Sequence, residues 1–100
     1  HSKLACTHLN ASFSAFLKAI LPFTAHLHLA DAKGVDGEGL QIHDGEIDWV
    51  QLFALMDQLS PTASFIPEIW QGHKNNGEGA WLALERLESC VDSNHQQQVA

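Results

Sequence analysis

Two periodicities alternate along this chain. Over residues 11–21 the apolar side chains Phe13, Phe16, Leu17, Ile20 and Leu21 recur at helical spacing, with Asn10 or Ser12 in position to cap the start and Pro22 to close the end. Residues 24–30 change period: Ala25, Leu27 and Leu29 alternate with Thr24, His26 and His28, the pattern of a half-buried strand. A second helix is predicted from a cap at Asp48 through Trp49, Leu52, Phe53, Met56 and Leu59 to a stop at Ser60-Pro61. Residues 64–70 read as a second strand, buried in character, and residues 80–91 as a third helix with Ala80, Leu84, Leu87 and Val91 on its inner face. Between these lie a glycine-rich, acidic stretch at 31–46 without periodicity, expected to be one long loop, and a shorter Gly/Asn loop at 71–79. The polar residues 93–100 are expected to form a frayed tail.

Helices alternating with strands imply an α/β fold with a parallel sheet and helical crossovers, in which function collects at the carboxyl ends of the strands. Composition narrows the function classes. A formal charge of −7 without a basic cluster argues against nucleic acid as a partner. No apolar run approaches the ~20 residues of a membrane-spanning helix, and the opening His1-Ser2-Lys3-Leu4 lacks the apolar core of a secretory signal. Cys6 and Cys90 form neither a CxxC pair nor a disulfide framework, which suits a reducing compartment, so a cytoplasmic location is expected.

The candidate chemistry lies near the strand ends. His26 and His28 leave one face of the first strand, and Asp31 follows; imidazole beside carboxylate is a common shell for a divalent ion, while the plain alternative is packing within a sheet. Glu68 stands in an otherwise apolar run next to Pro67, so it needs a metal, a proton or a cation such as Lys33 or Lys74. The loop containing Lys74 leads into a helix start, where an anion could sit, although a flexible turn explains the same residues. His8, His43 and His95 have no partner at metal spacing and read as solvated. Without GxSxG, Walker or dinucleotide fingerprints, Cys6 and Ser2 near His1 and His8 make a poor nucleophilic site.

The segments from His26 to Ile42, from Gly45 to Trp49 and from Phe65 to Trp70 resemble the last third of the xylose-isomerase-like TIM barrels. That superfamily includes sugar-phosphate isomerases and epimerases and endonuclease IV. The resemblance implies that His28 and Glu68 are metal ligands on the seventh and eighth strands. It also implies that His1 is the histidine of the sixth-strand Asp-x-x-His pattern, whose Asp would precede residue 1. On this reading residues 1–92 are the C-terminal βα units of a barrel, two to three parallel strands with three helices, well short of the ~250 residues of a complete one. A closer resemblance, over roughly residues 1 to 90, is to the barrel module appended to sialic-acid-synthase-like proteins. It rests on the opening hexapeptide, on Asp36 to Ile42 and on Pro67 to Gly79. One departure is His43-Asp44, where the pattern has Gly-Glu before Gly45.

The implied activity is a divalent-metal-dependent isomerisation or epimerisation of a sugar or sugar phosphate, in sialic acid or surface-polysaccharide metabolism. Mn²⁺, Mg²⁺ or Co²⁺, with Zn²⁺ as a further option, would polarise the substrate while a glutamate from the missing half moves the proton. His1 and Glu68 carry the catalytic expectation and His28 and Glu68 the metal. His1, His26, Asp31, Lys33 and Lys74 carry substrate contacts. An alternative of another class is a non-catalytic scaffold module. Endonuclease-type cleavage is disfavoured, because the loop has Asp36 and Glu38 without the following His that a third metal needs. The rest of the barrel is the expected partner, and the chain alone is expected to be inactive.

Overall fold

Two of the predicted helices begin at side-chain caps in the computed structural model, which describes the backbone of residues 1–99 and the side chains of residues 1–94. Ser12 Oγ accepts from Ala15 N–H at 3.1 Å to start α2 (Phe13–Ile20), which runs into a 3₁₀ turn at Leu21–Phe23. Asp48 Oδ1 accepts from Gln51 N–H at 3.0 Å to start α3 (Trp49–Leu59). Each satisfies a backbone donor that the first helical turn leaves open. An additional helix, α1 (Ser2–His8), precedes them and buries Leu4 and Cys6. With so few apolar residues in seven, it has no periodicity to detect.

β1 (His26–Leu29) pairs in parallel with β4 (Ser64–Pro67), His26 opposite Ser64 and His28 opposite Ile66. The crossover runs through α3, as the alternating pattern implied. The architecture is therefore a small mixed α/β domain around a two-stranded parallel sheet, with four helices among the described residues. None of those helices is long and apolar enough to cross a membrane.

Residues 31–46 are not one loop. They contain an antiparallel hairpin, β2 (Asp31–Lys33) and β3 (Gly37–Leu40), joined by the turn at Gly34, Val35 and Asp36. Strands this short, rich in Gly and acidic residues, have no alternating apolar face, so the sequence pattern hides them. The second strand also differs from its expected form. It ends at Pro67, which has no N–H for a ladder, and its alternate residues Ser64 and Ile66 are exposed.

One side of the parallel pair carries the core. Leu29 is buried, and Leu27 and Phe65 pack on a cluster built from Leu17, Leu21, Ile42, Trp49, Leu52, Phe53, Met56, Ala83, Leu87 and Cys90. Thus α2, α3 and α4 (Lys74–Val99) cover one face, while His26, His28, Ser64 and Ile66 on the other are exposed. α4 turns Leu87 inward and packs Val91 on the core as expected, but Ala83, Cys90 and Asn94 are its other buried residues, with Ala80 and Leu84 only half-buried. The small Ala83 and Cys90 permit close approach to α3, and Asn94 Nδ2 donates to Asp57 at 2.7 Å. Its first turn, at Asn75, Asn76 and Gly77, is left-handed. The backbone of 93–99 continues this helix instead of forming a separate tail. The side chains of 95–100, His95 included, lie outside the described residues.

The loop between β3 and α3 closes around one carboxylate. Asp31 is 1% exposed, and its Oδ1 accepts from the N–H groups of Ala32 (2.9 Å) and Ile47 (3.1 Å). Its Oδ2 accepts from His43 N–H (2.9 Å) and the Trp49 indole Nε1–H (3.0 Å). Gly45 passes so close that a Cβ there would collide with the Ala32 carbonyl and Asp31 Oδ1. His43 is held at φ +81°, a costly backbone for a residue with a side chain, by the bond it donates to Asp31. Asp31, expected to contact substrate, thus has its carboxylate occupied by four structural donors.

Charge-assisted bonds to a buried carboxylate are the strong class, and exchanging it for an amide sets an NH₂ against N–H donors. Asp31→Asn is therefore expected to lower unfolding free energy by about 3 kcal/mol, read from the shift in urea midpoint. A loss below about 1 kcal/mol would contradict the assigned role.

Candidate functional site

His28 lies on the uncovered face of β1, and Glu68 follows β4 immediately, both at the carboxyl ends of neighbouring parallel strands. Glu68 N–H donates to the Leu29 carbonyl at 2.8 Å, which extends the strand contact beyond Pro67 and fixes the carboxylate beside the imidazole. His28 Nδ1 and Glu68 Oε2 are 3.2 Å apart, with side chains 52% and 66% exposed. The expected buried charge is corrected: because the strand stops at Pro67, the carboxylate sits at an open lip. Its partner is His28, and neither Lys33 nor Lys74 pairs with it.

Across the same opening, His1 Nε2 pairs with Glu38 Oε2 at 2.9 Å. The two pairs border a cavity of about 360 Å³, whose lining includes His1, His28, Asp31, Glu38, Glu68, Ile69 and Trp70. His26 stands next to it. Its Nδ1 is hydrogen-bonded to Ser64 Oγ at 2.7 Å, and its ring meets His28 edge to face at 5.1 Å between centroids. Lys33 and Lys74 are exposed and lie off the cavity wall.

The structure therefore gathers His1, His28 and Glu68, sets His26 beside them, keeps Asp31 at the cavity edge with its carboxylate buried and bonded, and leaves Lys33 and Lys74 off the wall. Two residues to which sequence reasoning gave no role complete the wall. Glu38 had its signal in the Gly-Glu-Gly run of β3, and Trp70 in its place two residues after Glu68.

Whether these residues suit a divalent ion is a matter of spacing. Ligand atoms on adjacent corners around an ion with ~2.1 Å bonds stand roughly 3 Å apart. His28 Nδ1 and Glu68 Oε2 at 3.2 Å fit two such corners. Among the described residues no group of three His, Cys, Asp or Glu side chains could hold a metal, so a full shell needs donors from elsewhere.

Both cysteines are buried free thiols. Cys90 Sγ lies 3.9 Å from His43 Nε2, yet burial, and secondarily the charge of Asp48, push its thiol above the usual range. A raised pKa disfavours the thiolate and speaks against a nucleophilic role. The folded state holds this proton more tightly than the unfolded chain. Its stabilising contribution is complete below the unfolded thiol pKa and is lost as pH rises toward the folded value. Cys90→Ala is expected to make the fall in melting temperature between about pH 8 and 10 shallower than in the parent. Parallel curves would show that the thiol does not contribute.

No protein-family model, curated protein or solved structure matches this chain.

Proposed function

We propose that the chain forms the closing βα units of a xylose-isomerase-like TIM barrel, and that His1, His28 and Glu68 belong to the centre of a divalent-metal-dependent sugar or sugar-phosphate isomerase or epimerase. The observation that carries this reading is the meeting of His28 and Glu68, forty residues apart in sequence, at the carboxyl ends of parallel neighbours. That is the end of a barrel sheet where catalytic residues gather.

Two further features support it. The sheet has helices on one face and leaves the other uncovered, as a segment of barrel wall taken without the strands opposite it would. His43 adopts a left-handed backbone at the position where the resembling pattern has glycine, so the loop keeps the shape that pattern requires despite the substitution.

In this role His28 and Glu68 would be two donors to the metal, which when bound supplies Lewis-acid polarisation of a sugar carbonyl or hydroxyl. Edge-to-face contact with His26 restrains the His28 ring, and the Ser64 bond restrains His26. The His1–Glu38 pair across the cavity presents groups that can hydrogen-bond sugar hydroxyls. The proton-moving base is assigned to the other part of the barrel, and the metabolic setting to sialic acid or surface-polysaccharide synthesis. A cytoplasmic location accompanies this reading.

A second reading, a non-catalytic binding module fused to a sialic-acid-synthase-like enzyme, is favoured by the lack of a three-residue metal group among the described residues. Glu68→Gln separates the two. The exposed pair contributes little to folding, so the variant is expected to stay within about 1 kcal/mol of the parent. In the full-length protein, sugar isomerisation should fall at least roughly 100-fold and bound metal should drop with it. Unchanged turnover and metal content would remove the catalytic reading in favour of the scaffold.

A further inference from the structure

Trp70 lines the cavity and is 74% exposed, an apolar ring that the fold leaves unburied at its site. Its backbone is nevertheless held in place. Trp70 N–H donates to the Gly39 carbonyl at 2.9 Å, tying the segment after β4 to the hairpin. Gly39 has φ +64°, and a Cβ added there would stand 3.2 Å from Trp70 Cβ, so the glycine lets the hairpin approach this closely. An exposed ring on an anchored backbone provides contact area at small entropic cost.

The remaining wall is polar without being cationic. His1 and His28 are each paired with a carboxylate, Glu38 and Glu68, and no Lys or Arg occurs among the described residues lining the cavity. With no metal bound, an entering phosphate or carboxylate would meet two exposed carboxylates at short range, an unfavourable like-charge arrangement. A neutral ring carrying hydroxyls at its rim and C–H groups on its face meets no such penalty. Its hydroxyls suit the His and Glu side chains and its C–H face suits indole. A volume of about 360 Å³ lies at the small end of ligand cavities.

We infer that Trp70 is the stacking platform of this cavity and that the metal-free cavity selects a neutral cyclic monosaccharide over a phosphorylated one. The inference rests on the sugar-binding reading above and narrows it. Trp81, also exposed but off the cavity wall, provides an internal control.

The test is binding of glucose and of glucose 6-phosphate to the full-length protein stripped of metal with a chelator, followed by saturation-transfer NMR and tryptophan fluorescence. Glucose should bind saturably, and its phosphate ester at least about tenfold more weakly. Trp70→Ala should weaken glucose binding roughly three- to tenfold, Trp70→Phe should retain most of it, and Trp81→Ala should match the parent. Equal or tighter binding of the phosphate ester would overturn the inference. So would a Trp70→Ala variant that binds as the parent does, or the absence of saturable glucose binding. The two readings fail separately. Trp70-dependent glucose binding without isomerisation removes only the catalytic reading. Isomerisation that needs Glu68, with binding indifferent to Trp70, removes only this inference.

Discussion

Much of this fold is organised by the single carboxylate of Asp31. It gathers three backbone N–H groups and the Trp49 indole, and thereby joins the start of the hairpin, the loop at 43–47 and the first residue of α3. Buried backbone donors must find acceptors, and a loop without regular structure has few to offer. With the carboxylate in place the loop can pass close to the core, Ile42 can be fully buried, and the start of α3 is tied to the hairpin through the Trp49 indole. Arg86 secures the same loop from the other side by donating to the Ile42 carbonyl at 2.7 Å.

The cavity inherits this order. β1 ends two residues before Asp31, and the hairpin that begins there carries Glu38 to His1 and Gly39 to Trp70. The hydrogen bonds around Asp31 thus set one wall, and the parallel register of β1 on β4 sets the other, where His28 meets Glu68. A rigid scaffold below and exposed, polar side chains above is the usual division of labour in parallel α/β folds.

Parts of this arrangement were legible in the residues themselves. The caps at Ser12 and Asp48, the stop signals at Pro22 and Ser60-Pro61, and the division of β1 into Leu27/Leu29 and His26/His28 faces follow from local chemistry and period, and the structure has them. What depended on distant partners was not legible. Asp31 looks like a ligand because a string of letters does not show the donors that fold back onto it. β2 and β3 escaped because Gly37, Glu38 and Gly39 carry no apolar alternation, and the inner face of α4 shifted because helix packing favours small residues at a close approach. The meeting of His28 and Glu68 was anticipated only through resemblance to a family, since spacing alone does not say which strands are neighbours.

The pairing of β1 with β4 joins residues separated by 38 positions, whereas the hairpin and the helices close over short stretches of chain. Loop-closure entropy makes the long-range pairing the slower event, after the local elements exist. The cavity straddles that pairing, so its His28–Glu68 pair comes together late on the folding path. A partly folded chain would hold its helices and hairpin but not the site, which makes ligand binding at this rim a report on the last step of folding.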